Sequence, residues 1–205
     1  MHIAEGVLAA PVLAGGAVLA AAGTAIGLKF IDYDRIMTVA LLGSAFFVAS
    51  LIHIPIGPTS AHLLFNGLIG VILGWGAFPA ILVALLLQAL LFQFGGLTVL
   101  GVTTVNLALP AVLMGLLCRP WIARGGRAQA VAAFVGGAGG VLLAGLSTAL
   151  VLIWSGEAFV PTAKLLFIAH LPVAAVEGVV TVVVVRFLAK VQPEMLPGLR
   201  VQEER

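Results

Sequence analysis

Met1 and His2 are the residues of this chain whose types and spacing speak most directly of chemistry. A histidine in second position brings three nitrogens within reach of one ion: the α-amine of residue 1, the backbone nitrogen of residue 2 and the imidazole Nδ1. With the amide deprotonated, the fused chelate rings are close to planar and fill three corners of a square. One further imidazole fills the fourth. Square-planar nitrogen ligation points to Ni²⁺ or Cu²⁺, with Co²⁺ also capable of it. Zn²⁺ prefers a tetrahedron and Mg²⁺ prefers oxygen. Taken alone, the two residues read more simply as a solvated terminus at a membrane edge.

The other histidines are His53, His62 and His170. Between His53 and His62 lies Ile54-Pro55-Ile56-Gly57-Pro58-Thr59-Ser60-Ala61, where Pro and Gly force a turn. That turn brings one or both imidazoles over the mouth of a bundle. Their spacing is not the i, i+4 of a helical zinc pair, and HExxH is absent. Either one alone reads as a hydrogen-bonded interfacial histidine; with His2 added, convergence on a metal is the better reading. Asn66 is expected one helical turn below His62, where it could orient the site or bond a neighbouring helix. Gln93, Thr103 and Asn106 are expected to pack around, or hold, the outer loop over the site. His170 and Glu177 share a helix face two turns apart and are expected to form a buried polar pair. Asp32, Asp34 and Arg35 read as a solvated inner loop.

The elements that must position these groups are membrane helices. Of 205 residues, 62% are hydrophobic and only 9% charged, and mean hydropathy is +1.23; soluble domains carry about 25% charged residues. The expected fold is an all-α integral membrane protein, one domain over 1–205, with 1–6 as a metal-chelating N-terminus and 191–205 as a cytoplasmic tail. Apolar runs of about 20 residues span a bilayer. About seven such helices are predicted: Val7–Leu28, Ile36–Ile54, Ala61–Gly74, Phe78–Phe92, Val102–Cys118, Gln129–Trp154 and Lys164–Lys190. The third and fourth are short, and either an unusual tilt or embedding beneath their neighbours would explain that. Lys29, Arg35, Arg119, Arg124, Arg127, Arg186, Lys190, Arg200 and Arg205 fall on one side of this arrangement. The positive-inside rule then puts the N-terminus outside and the C-terminus in the cytoplasm. With no Lys or Arg ahead of the first apolar run, that run reads as a retained helix rather than a cleaved signal.

Composition excludes several classes. No basic run exists to hold nucleic acid, and no GxxxxGK[ST] phosphate loop is present, so the energy must come from elsewhere. The single Cys118 cannot form an intramolecular disulfide and lacks CxxC spacing. Small residues recur at four-residue spacing in Ala17, Ala21, Ala25 and in Gly136, Gly140, Ala144; ordinary helix packing is preferred over a docking face for a partner subunit. Ser147 and His170 could sit at similar depth as an intramembrane serine-protease dyad. The sequence Gly145-Leu146-Ser147-Thr148 lacks the Gly that rhomboids place after Ser, and that reading leaves Met1-His2 unexplained.

Three stretches resemble the CbiM/NikM family: Met-His-Ile-Ala-Glu-Gly at the start, Pro58-Thr59-Ser60-Ala61-His62-Leu63-Leu64-Phe65-Asn66-Gly67, and Gln93-Phe94-Gly95-Gly96-Leu97-Thr98-Val99-Leu100-Gly101. These are substrate-binding S components of energy-coupling-factor transporters for cobalt and nickel, and the resemblance covers nearly the whole chain. It implies that Met1, through its amine, and His2 bind the metal, that His62 completes the square, and that His53 falls to a supporting or structural place; Asn66, Gln93 and Thr103 are further candidates for the surrounding shell by their positions alone. It implies a transport subunit of a bacterial inner membrane rather than an enzyme, binding Co²⁺ or Ni²⁺ as cargo. The implied partners are an integral T component (CbiQ/NikQ-like), cytoplasmic ATPases (CbiO/NikO-like), and often a small accessory membrane subunit (CbiN/NikN-like). The form Met-His-Ile-x-Glu-Gly looks more like the cobalt members, which favours cobalt; nickel and a stand-alone metal permease are the alternatives.

Overall fold

The computed structural model describes residues 3–51, 53–56 and 59–196; Met1 and His2 lie outside the described residues. Seven α-helices form among them: α1 (Ala10–Leu28), α2 (Ile36–Ala49), α3 (Asn66–Leu73), α4 (Ala77–Phe92), α5 (Leu100–Ile122), α6 (Gly126–Ser155) and α7 (Val160–Val191). Two short strands, β1 (His53–Ile56) and β2 (Thr59–His62), pair antiparallel between α2 and α3. The chain is thus an all-α membrane bundle carrying one small hairpin.

That hairpin corrects two predicted boundaries. The second helix ends at Ala49 instead of reaching Ile54, and the third begins at Asn66 instead of Ala61. Ser50 sits at the helix end. Its hydroxyl donates to the carbonyls of Phe46 (2.8 Å) and Phe47 (3.0 Å), occupying acceptors at the helix end. Downstream, Pro55 cannot donate to a helical ladder, and the β-branched residues around it suit extended backbone. At about 1.5 Å per residue, α2 is too short to cross a bilayer core of about 30 Å by itself.

The apolar stretch 66–92 is two helices running in opposite directions. Asn66 donates to the carbonyl of Leu107 (3.2 Å), and Arg119 donates to the carbonyl of Val71 (3.2 Å), so α3 descends alongside α5. The chain reverses at Gly74, whose φ of +58 suits a residue without a Cβ. α4 then climbs beside α2, where Gln88 donates to Phe47 O (3.3 Å) and to the Ser50 hydroxyl. All eight residues of α3 are buried, as embedding of a short helix requires. Lipid supplies no hydrophobic drive between helices, so close backbone approach must hold them. At the α3–α5 crossing, a Cβ on Gly70 would overlap the carbonyl of Ala111, and one on Gly115 would overlap the carbonyl of Gly70.

The two small-residue stripes differ. Gly136, Gly140 and Ala144 are buried against α3 and its neighbours, as packing predicts. Ala17, Ala21 and Ala25 are exposed; α1 packs instead through Gly16, Ala20, Gly23 and Gly27.

The ends of the bundle differ in charge. Asp34, Arg35, Ile72, Leu73, Gln192 and Glu194 line one cavity, which brings the start of α2, the end of α3 and the end of α7 to the same end. Arg119 lies against Gly74 at that end. The opposite end carries the residues before α1, the hairpin and the 93–99 loop. Among the described residues, Lys164 is the basic side chain that departs from this division.

Candidate metal centre

The segment that follows His2 is tucked into the bundle. Ile3 is fully buried and packs in a cluster with Leu8, Ala61, Val99, Val102 and Leu166. Glu5 ties it to the 93–99 loop, accepting hydrogen bonds from the backbone N–H and the hydroxyl of Thr98, each 3.1 Å long. Gly96 makes room for that contact, since a Cβ there would overlap the Glu5 carboxylate.

His62 is the last residue of β2, not the first turn of a helix, and it is buried. Its Nδ1 lies 2.7 Å from the carbonyl of Leu63. A carbonyl can only accept, so Nδ1 carries the proton and the lone pair of the neutral ring sits on Nε2. That is the tautomer a metal-ligating imidazole adopts when its other nitrogen is held by a backbone oxygen. His53 pairs with His62 across the ladder. Its Nδ1 lies 3.1 Å from Leu51 O, and its ring meets Phe94 edge-on at 4.6 Å between centroids. His53 therefore pins the hairpin to the 93–99 loop.

Asn66 does not sit a helical turn below His62, because residues 62–65 are not helical. It is fully buried and clamps three helices. Its amide donates to Leu107 O (3.2 Å) and Gly140 O (3.0 Å), while its oxygen accepts from Gly67 N (2.9 Å). Gln93 is exposed and ends α4 with a positive φ of 57. Thr103 is buried beneath Phe94, Gly95 and Gly96, with its hydroxyl unpaired. Asn106 is buried, and its amide nitrogen is also unpaired. Among the described residues no three His, Cys, Asp or Glu side chains cluster as a metal site. Met1 and His2, the proposed chelate, are not among those residues.

Glu177 is the residue whose role the sequence did not reveal. It is buried on α7 and reaches across to the backbone N–H groups of Leu64 and of Phe65, the latter at 2.9 Å. His170 donates its Nδ1–H to Leu166 O at 2.7 Å. Both side chains are thus engaged with backbone instead of forming the expected pair with each other. The signal that was available is an ionisable residue inside an apolar helix. Ser147 donates to the carbonyls of Asn106 (3.2 Å) and Ala144 (3.0 Å), the arrangement of a hydroxyl joining two helices rather than of a nucleophile on a histidine base.

Comparison with known proteins bears on the chain as a whole. The model of a family described as CbiM, cobalt uptake substrate-specific transmembrane region, matches residues 2–195. A Haemophilus influenzae protein described in terms of metal transport is 41% identical over 201 residues, covering 96% of this chain and 97% of that one. A crystal structure of a truncated transition metal transporter superposes with a TM-score of 0.82 at 27% identity, covering 93% of this chain and 99% of that one. Two longer relatives carry fused descriptions. The fused nickel transport protein NikMN of Rhodobacter capsulatus is 36% identical over 114 residues, 53% of this chain and 33% of that protein. A fused cobalt transport protein CbiMQ of Methanocorpusculum labreanum is 26% identical over 231 residues, spanning 100% of this chain and 38% of that protein.

Proposed function

From its place in the CbiM family, to which this chain belongs, we infer that this multi-pass membrane component of cobalt or nickel uptake captures its ion from outside through nitrogen ligands alone. The amine of Met1, the backbone nitrogen and imidazole of His2, and Nε2 of His62 make up the proposed square. The observation that carries this reading is His62 itself. It is buried at the end of the bundle where the residues after His2 enter, and its Nδ1–H is held by Leu63 O. An all-nitrogen planar set favours Co²⁺ and Ni²⁺ over Zn²⁺ and Mg²⁺ by geometry. Cobalt is favoured by the Met-His-Ile-x-Glu-Gly form of the terminus, and nickel is the alternative.

The chain has no phosphate-binding loop, so ATP hydrolysis must be done by partners. The descriptions of the fused relatives support partners of the CbiQ and NikN kinds, and cytoplasmic ATPases complete the proposed assembly. The basic end of the bundle is the cytoplasmic side in this reading. Reconstitution tests it. The chain alone in proteoliposomes should bind ion but accumulate little, and adding the T component and ATPases should bring ATP-dependent uptake. ATP-driven accumulation by the chain alone would sink the division of labour. Fast passive flux through the chain alone would favour the permease reading.

A further inference from the structure

Glu177 is 1% exposed on a helix that crosses the bundle, 112 and 113 residues along the chain from the amides it accepts. An acid in such a place needs partners, because an unpaired buried carboxylate is costly. Its partners are the amides that follow His62. The carbonyl of Leu63 and the N–H of Leu64 belong to one peptide group. The carbonyl accepts from His62 Nδ1 at 2.7 Å, and the N–H donates to Glu177. That single peptide is therefore gripped from both sides, by the imidazole on its oxygen and by the carboxylate on its nitrogen.

We propose that Glu177 is a positioning residue for the metal ligand His62, acting through the peptide between Leu63 and Leu64. The proposal rests on the reading of His62 as a ligand. Ligating histidines commonly donate their second ring N–H to a carboxylate or a carbonyl, which fixes the ring and raises its basicity. Here the two devices are in series. A carboxylate on an amide N–H draws electron density onto that amide's carbonyl oxygen, and hydrogen bonds chained in this way strengthen one another by roughly 10–30% each. A stronger hold on Nδ1–H leaves more electron density at Nε2, where the ion binds.

The second carboxylate oxygen adds the geometric half. It accepts from Phe65 N–H at 2.9 Å, and Phe65 has a φ of 50, left-handed and sterically unfavourable for a residue with a side chain. Two adjacent amides held by one carboxylate over-determine that turn. They also lie where α3 begins, where a negative charge is favoured by the helix's unpaired N–H groups. Ring orientation at His62 is thus tied to α7, and a movement of α7 against α3 reaches the ligand directly.

The test uses the purified full chain and its Glu177→Gln and Glu177→Asp variants. Glutamine keeps an acceptor oxygen but loses the charge and one of the two acceptors; aspartate keeps the charge on a shorter stem. ¹⁵N resonances of His62 in the ion-free protein report the Nδ1–H bond, with His53 and His170 as internal controls. Equilibrium binding of Co²⁺ and Ni²⁺ and thermal melting are measured in parallel. In Glu177→Gln the His62 signals should shift while those of His53 and His170 hold, and affinity should fall by about 10–100-fold, the range for loss of an outer-shell partner. Glu177→Asp should lie between Glu177→Gln and the parent, and it replaces Glu177→Gln if that variant does not fold. Unchanged His62 signals and affinity overturn the proposal, as does a lower melting temperature with unchanged His62 signals, which is the mark of a purely structural role. A His62→Ala chain that binds ion like the parent removes the ligand reading itself, whatever Glu177 does.

Discussion

His53 and His62 stand directly opposite each other across the β1–β2 ladder. Opposed residues of an antiparallel pair share a face, with Cβ atoms about 4.5–5.5 Å apart. Two imidazoles of equal standing in the sequence are therefore neighbours in space, yet they are put to different uses. His53 is half-buried and lies edge-on to Phe94, bracing the hairpin against the 93–99 loop. His62 is buried, with its Nδ1 proton engaged by Leu63 O and Nε2 as the nitrogen assigned to the ion in the proposed site. That difference is the basis for proposing His62 as ligand and His53 as brace.

The start of the chain should tolerate no extension. If the amine of Met1 is a ligand, one added residue moves it away and replaces it with an amide, a far poorer donor. Uptake of labelled Co²⁺ and Ni²⁺ should collapse in an N-terminally extended variant that still inserts at normal levels, and a C-terminal tag should be harmless. Full uptake by the extended variant would show that the amine is not used.

Acid should weaken binding. The amine and the His2 amide must each lose a proton before they donate, and in acid the imidazole nitrogens are protonated too, so ion and protons compete for the same lone pairs. Apparent affinity should therefore fall as pH drops below neutral, with protons released on loading at higher pH. Titration of the purified chain at several pH values checks this, and an affinity independent of pH would count against a ligand set of amine, amide and imidazoles.

Asn66 should matter to the fold and not to the ion. Its three hydrogen bonds join α3 to α5 and α6. Asn66→Ala should cost about 1–3 kcal/mol, the range for buried hydrogen bonds lost within a protein, and should leave metal affinity within a few-fold. A normal melting temperature with lost affinity would return Asn66 to the site.

The bundle and its charged end were legible because lipid imposes a simple code: long apolar runs, with Lys and Arg gathered at one end. The hairpin was not. Ile54-Pro55-Ile56 continues the apolar composition of the helix before it, and the Pro and Gly of this stretch signal a turn without saying that strands flank it. The pairing of His53 with His62 follows from strand register, which a count of intervening residues leaves open. Glu177 was visible as an oddity, but its partners are backbone amides in a distant segment, and amides leave no mark in sequence. Asn66 lies one turn from His62 only if a helix runs through both, and the helix begins at Asn66 itself.

The basic end of the bundle should face the cytoplasm. Reporter fusions after Arg124 and after Arg205 should both give cytoplasmic signals, and one within the 93–99 loop should give an external signal. An external signal from either of the first two would invert the bundle and place the hairpin on the wrong face for capture.

Equilibrium binding of labelled Co²⁺ and Ni²⁺ to the purified chain, beside its His62→Ala and His53→Ala variants, tests the nitrogen site most directly. The parent should bind one ion per chain. His62→Ala should lose binding, because a corner of the square is gone, while His53→Ala should retain it with a loss of no more than about 10–100-fold. Parental affinity in His62→Ala, or equal and complete loss in both variants, would contradict the assignment of His62 as the ligand.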